Sequence, residues 1–128
     1  MRTEIDHPHV PALRRTFQAY VDGINEGDYH SAYNQRTPAS RRPGGLREFA
    51  RGARTSYIFD VRIRSLTVLG PDTDRLTVTF TTIQDPKLGP DGQDCSHWHN
   101  RYEMRRINGQ WLIDADAATP VNGTPTPC

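Results

Sequence analysis

The chain has 128 residues, of which 34% are hydrophobic and 24% are charged. That length suits one domain with its own core and leaves no room for two. With 16 basic and 15 acidic side chains, the net charge is +1, so no global field favours nucleic acid, and we expect no nucleic-acid partner. No apolar run approaches the roughly 18 residues that would span a bilayer. Residues 1–6 also lack the apolar stretch of a signal peptide, so we expect no membrane insertion by this chain.

Helical patterns dominate the first part of the chain, after residues 1–10, which we expect to be frayed. The next apolar side chains recur at the spacing of one helical face, as in Leu13, Phe17, Tyr20, Val21 and Ile24. Gly27 suits a left-handed cap that ends this helix, and Asp28 can cap a short second helix. A third helix is predicted over residues 46–53, after a loop rich in proline and glycine.

From residue 57 onward, the apolar side chains alternate as they do in strands. The first strand is expected to bury one face made of Tyr57, Phe59, Val61 and Ile63. A change of parity after Ser65 predicts a bulge or a bend. Asn108 and Gly109 favour a tight hairpin turn. The later strands are expected to bury Leu76, Val78, Phe80, Thr82, Trp98, Tyr102, Met104, Trp111, Ile113 and Ala115.

These patterns predict an α+β fold in which N-terminal helices pack on a curved antiparallel sheet. Residues 11–117 are expected to form the single domain, and residues 118–128 a Pro/Thr-rich tail. The two cysteines, Cys95 and Cys128, are even in number, and one lies in that irregular tail. We therefore expect a disulfide that ties the tail back to the domain. Two unrelated thiols in a cytosolic protein are the alternative.

Two stretches of the chain resemble a known superfamily. The segment from Phe17 to Tyr29, with its Asn-x-Gly-Asp ending, and the segment from Gly109 to Ile113 are similar to the first helix and final strands of nuclear transport factor 2-like domains. The stretch from Thr82 to Trp98 further resembles bacterial versions attached to membrane proteins such as serine/threonine kinases. The resemblance implies a cone-shaped fold and an extracytoplasmic location, with a cytoplasmic location as the alternative.

Alternation and the first helix place large rings around the interior of such a cone. The predicted ligand pocket consists of Tyr20, Phe59, Phe80, Trp98, Tyr102 and Trp111. A mostly apolar cavity with a few phenol and indole donors is the usual composition of a small-molecule site.

The superfamily also contains isomerases, polyketide cyclases and dehydratases, and the resemblance makes Tyr20 the candidate catalytic hydrogen-bond donor. Isomerase chemistry also needs a carboxylate between the second and third helices, where residues 34–37 contain neither Asp nor Glu. The sequence therefore favours a non-enzymatic module that binds a small apolar ligand or a protein partner. A small pocket enzyme of cyclase, isomerase or dehydratase type, acting on an apolar metabolite, is the alternative.

The predicted fourth strand carries polar residues on its outward face. Cys95, His97 and His99 share that face and could bind zinc, but Arg101 and Arg105 beside them oppose a cation, so we expect no metal and no cofactor. The same face, with Glu103, is the predicted surface of a homodimer.

Other charged side chains are expected to be solvated or paired. This applies to Asp60, Asp114 and Asp116 and to the arginines around the third helix, Arg36, Arg41, Arg42, Arg47, Arg51 and Arg54.

Overall fold

The computed structural model describes residues 1–115 and 125–128. Helix α1 spans Val10–Glu26 and ends at Gly27, whose φ of 75° is left-handed. Helix α2 spans Tyr29–Tyr33, and helix α3 spans Gly45–Ala53. The three predicted helices are therefore confirmed. None of the helices in this part of the chain is long and apolar enough to cross a membrane.

The described residues also form a six-stranded sheet in the order β1-β2-β3-β4-β5, with β6 paired to β4. Neighbouring strands are antiparallel, except that β1 runs parallel to β2. The strands are β1 (Arg2–Thr3), β2 (Tyr57–Gly70), β3 (Thr73–Ile83), β4 (Cys95–Ile107), β5 (Gln110–Ile113) and β6 (Thr126–Pro127). This arrangement confirms the predicted α+β fold. Residues 116–124, which hold most of the predicted tail, lie outside the described residues.

The expectation that residues 1–10 are frayed is wrong. Arg2 and Thr3 pair with Arg62 and Ile63 at the free edge of β2, and the Glu4 amide donates to the Ile63 carbonyl at 3.0 Å. The pairing satisfies backbone groups that an edge strand would otherwise leave open. The first residues also alternate between half-buried and exposed positions, which is a strand pattern too short to stand out in the sequence.

The expected inward orientation of Tyr57 and Phe59 is also wrong. Asp60 has a left-handed φ of 52° and lies in a β-bulge, where the register shifts between Phe59 and Arg62. The extra residue reverses the alternation, so that Ile58 faces the core while Phe59 is 38% exposed on the outer face. A second register shift, between Ile63 and Ser65, lies at the predicted bulge.

The hydrophobic core fills the space between α1 and the inner face of the sheet. Its central side chain is Phe17, which is 1% exposed, and around it are Leu13, Val21, Ile24, Ile63, Leu76, Val78, Met104, Trp111 and Ile113. Burial of these side chains holds the first helix across β2 to β5 and shapes the cone from which the candidate site opens.

The predicted disulfide is confirmed, since Cys95 and Cys128 are bonded with their Cα atoms 5.3 Å apart. The Cys128 amide also donates to the Cys95 carbonyl at 3.1 Å. The last residues of the chain therefore continue the sheet at the edge of β4.

Candidate functional site

A cavity of about 560 Å³ opens at the wide end of the cone, between α3 and the inner face of the sheet. Phe49 and Ala53 of α3 form one side, and the loop 88–90 forms the rim. The sheet contributes Ile58, Phe80, Thr82, Trp98 and Asn100. Its walls are thus mostly apolar side chains, with polar groups at a few positions.

The aromatic wall of this cavity is held in place by a hydrogen bond. Phe80 and Trp98 are directly opposed on β3 and β4, and their rings stack with centroids 6.0 Å apart. The Trp98 indole Nε1–H donates to Thr82 Oγ1 at 2.8 Å. Because the indole N–H has a partner, this ring can remain half-buried without an unsatisfied donor.

The rim loop is fixed by a buried glutamine. Gln84 Nε2 donates to the Gln93 carbonyl at 2.8 Å and to Ser96 Oγ at 3.1 Å. Gly89 lies so close that an added Cβ would overlap the Gln93 carbonyl. These contacts hold the loop against the sheet, so the mouth of the cavity has a defined shape.

Asn100 lies in the cavity wall and is 8% exposed. Its Nδ2 donates to the Tyr102 hydroxyl at 3.1 Å. Its Oδ1 is buried and has no hydrogen-bond partner among the described residues. A buried acceptor without a partner costs about 1–3 kcal/mol, so this oxygen is a place where a donor would be stabilising.

A polar cluster lies beside Phe49. The Arg36 guanidinium lies 5.1 Å from the Tyr33 ring centroid and 5.2 Å from that of Phe49. The Tyr20 ring centroid lies 6.0 Å from that of Phe49. Burial raises the pKa of Tyr20, and the positive charge of Arg36 opposes that rise. Burial likewise raises the pKa of Tyr102, and the nearby Tyr20 adds to the rise. Both phenols are therefore protonated at neutral pH.

The residues of the predicted pocket are only partly brought together. Phe80 and Trp98 line the cavity, and Tyr20 and Tyr102 lie in the cluster with Arg36. Trp111 is in the core, with its ring 5.1 Å from that of His9, and Phe59 is on the outer face of the sheet.

Three residues near the cavity were missed by sequence reasoning, namely Arg36, Phe49 and Asn100. The sequence does contain a signal for Asn100, because it is a polar residue that lies between Trp98 and Tyr102 in the alternation that faces inward. Arg36 was grouped with the surface arginines, although it follows α2 at the position where the chain turns toward β5.

The acids named in the sequence analysis are paired away from the cavity. Asp60 lies 3.2 Å from Arg62, and Asp114 lies 3.3 Å from Arg105. Asp116 lies outside the described residues. Among the described residues that line the cavity, the ionisable side chain is Glu48, which is exposed at the mouth.

The outer face of the sheet has a groove of its own. Arg62, Arg64, His97 and His99 line it, but Arg64 is paired with Glu4 at 3.0 Å. His97 Nδ1 lies 3.0 Å from Thr81 Oγ1, and the Cys95 sulfur is in the disulfide, so it is not available as a thiolate ligand. Within residues 1–115 and 125–128, no three His, Cys, Asp or Glu side chains are arranged to hold a metal ion.

No protein-family model matches the sequence, and no curated protein matches it. Solved structures do match. A candidate calcium/calmodulin dependent protein kinase II association domain from Xanthomonas campestris has a TM-score of 0.63 and 14% identity, covering 88% of this chain and 87% of that chain. An NTF-2 like protein of unknown function from Shewanella oneidensis has a TM-score of 0.60 and 9% identity, covering 81% and 93%.

A ketosteroid isomerase-like protein from Erwinia carotovora has a TM-score of 0.55 and 15% identity, covering 84% of this chain and 92% of that chain. Identities this low establish the architecture and leave the activity open. Together with the helices, the bulged sheet and the cone described above, they show that the chain has the nuclear transport factor 2-like fold.

Proposed function

We propose that this domain binds a small, largely apolar molecule in its cavity and does not transform it. The observation that carries the proposal is the cavity of about 560 Å³ with aromatic and aliphatic walls. Ligand sites are commonly clefts of roughly 300–1,000 Å³ with apolar walls and a few polar groups. Phe49, Phe80 and Trp98 supply such walls, and Asn100 supplies a polar group.

The ionisable groups near the cavity support binding without turnover. General acid–base catalysis needs a group that titrates near neutral pH within hydrogen-bond reach of the substrate. The raised pKa values of Tyr20 and Tyr102 move both phenols further from neutrality. Where an isomerase needs a carboxylate base, this chain has the cation Arg36. Glu48 is exposed at the mouth of the cavity, outside its apolar interior.

The disulfide supports an extracytoplasmic location for the domain. Disulfides persist in oxidising compartments and are rare where thiols are kept reduced. The Cys95–Cys128 bond joins the last strand to β4, so it is part of the folded sheet. Binding of a protein partner, or of a second copy of the chain, at the outer face of the sheet stays a prediction.

The binding proposal can be tested by NMR, because the chain has two tryptophans, Trp98 and Trp111. Trp98 lines the cavity and Trp111 is in the core. On titration with small apolar probes such as 4-tert-butylphenol, we expect the Trp98 indole N–H resonance to shift and that of Trp111 to stay.

A matched pair of variants tests whether that shift comes from the cavity. Ala53→Phe fills the cavity from α3 and should abolish the shift, whereas Ala39→Phe, on an exposed turn, should leave it intact. An unchanged Trp98 resonance with every apolar probe, or an Ala53→Phe variant that binds as well as the native chain, would contradict the proposal.

A pocket enzyme is the second candidate, favoured by the positive charge of Arg36 near the Tyr20 hydroxyl. A phenol beside a cation is a stronger hydrogen-bond donor to a substrate oxygen, and one structural neighbour is named as ketosteroid isomerase-like. Mass analysis of each bound compound after incubation separates the two functions. We expect unchanged compounds; a conversion that disappears in Tyr20→Phe would establish the enzyme instead.

A further inference from the structure

Asn100 has an atom without a hydrogen-bond partner in the described part of the chain, unlike Thr82 and Gln84, whose hydrogen bonds in the cavity wall are described above. Thr82 Oγ1 accepts from the Trp98 indole, and Gln84 Nε2 donates to Gln93 and Ser96. Asn100 Oδ1 has no partner among the described residues, although the side chain is 8% exposed. Buried polar atoms are nearly always paired, so an unpaired one in a cavity wall points to a group that arrives with the ligand.

The orientation of the amide defines which kind of group fits. Asn100 Nδ2 donates to the Tyr102 hydroxyl at 3.1 Å. The amide nitrogen is therefore engaged by a protein group, and the buried oxygen is the atom without a partner among the residues that the structure describes. A carbonyl oxygen only accepts hydrogen bonds, so the ligand must present a donor.

The charges near Asn100 favour a ligand whose hydrogen-bond donor is neutral. Arg36 lies in the cluster next to this wall, close enough to influence both Tyr20 and Tyr102, and its positive charge opposes an ammonium group. The walls are mostly apolar, and burying an unpaired charge against them is costly. A carboxylate brings no donor at neutral pH, so its lone pairs would face those of Asn100 Oδ1.

We propose, building on the proposed function, that the cavity selects an apolar molecule that carries a hydroxyl group, and that this hydroxyl donates to Asn100 Oδ1. The apolar part of the ligand lies along Phe49, Phe80 and Trp98. The hydroxyl then completes the hydrogen bonding of Asn100, whose amide already binds Tyr102.

The test compares two ligands that differ only at one oxygen, which carries a hydrogen in 4-tert-butylphenol and a methyl group in 4-tert-butylanisole. Each is titrated by calorimetry, with the Trp98 indole resonance as evidence that binding is in the cavity. We expect the native protein to bind the phenol about tenfold more tightly than the ether, the equivalent of one net hydrogen bond. This comparison needs no substitution, so it remains decisive even if a variant fails to fold.

Two variants assign the preference to Asn100. Asn100→Leu keeps the approximate size of the side chain and removes the acceptor, so the phenol and the ether should bind with equal affinity. His97→Ala changes an exposed residue on the outward face of the same strand and should leave the tenfold preference unchanged.

The outcomes separate this inference from the proposed function. If neither compound moves the Trp98 resonance, the cavity does not bind such molecules and both proposals are overturned. If both bind in the cavity equally well, the binding function stands and the hydroxyl selectivity is overturned. Tighter binding of the ether would show that the cavity offers no acceptor to the hydroxyl, which also overturns the inference.

Discussion

At the scale of single residues, a hydrogen bond between Asp74 and His9 joins the N-terminal segment to the sheet. Asp74 is 0% exposed, and its Oδ2 lies 2.7 Å from His9 Nδ1. Its other oxygen has no partner among the described residues. His9→Ala would leave the carboxylate without this partner, and we expect the free energy of unfolding to fall by about 1–3 kcal/mol. Urea-induced unfolding measures this change.

The double variant His9→Ala/Asp74→Asn distinguishes the buried charge from lost packing. With the charge removed as well, its stability should recover part of the loss, since an unpaired buried charge is more costly than an unpaired amide. His30→Ala, on the exposed face of α2, serves as the surface control. A double variant no more stable than His9→Ala would show that an uncompensated charge on Asp74 does not cause the loss, and would assign it to the packing of His9 on Trp111.

Asp74 and Asn100 also show what sequence reasoning could and could not supply. The inward parity of Asn100 follows from the alternation of β4 around Trp98 and Tyr102. The partner of Asp74 is 65 positions away, and no local pattern connects the two residues. Local periodicity predicts which way a side chain faces, whereas pairing between distant polar groups is decided by tertiary packing.

At the scale of elements, the bulge in β2 decides which aromatic rings enter the cone. Asp60 adopts a φ of 52°, which glycine tolerates and a β-branched residue does not. Asp60→Gly and Asp60→Val both remove the contact with Arg62, so they differ mainly in backbone strain. We expect the valine variant to be less stable by about 1–2 kcal/mol, measured by urea-induced unfolding.

Equal unfolding free energies for the two variants would show that the backbone at residue 60 is not held in the left-handed region.

The bulge also explains why the sequence predicts the helices well and the face of this strand poorly. Helix ends carry local signals such as Asp28 and Gly27, but a single extra residue in a strand reverses the alternation beyond it. Strict alternation therefore predicts the wrong face of the sheet for Tyr57 and Phe59.

At the scale of the whole molecule, the first residues of the chain and residues 126–128 are both held against the sheet. The parallel pairing of β1 with β2 and the contact between His9 and Asp74 hold the N-terminal segment. The disulfide and the pairing of β6 with β4 hold the last residues. The Gln93 side chain connects this end to the cavity, because its Nε2 donates to the Pro125 carbonyl at 3.1 Å.

The disulfide should therefore contribute to stability more than to the shape of the cavity. It joins residues separated by 33 positions, and closing a loop of that length lowers the entropy of the unfolded chain by an amount worth about 3–4 kcal/mol. We expect Cys95→Ser/Cys128→Ser to lose about that much unfolding free energy while the Trp98 indole still responds to apolar probes, since Gln84 and Ser96 hold the rim loop independently. Chemical reduction of the native chain should give the same loss. A reduced protein as stable as the oxidised one would contradict the stabilising role, and loss of ligand binding in a folded double-serine variant would show that the bond also shapes the site.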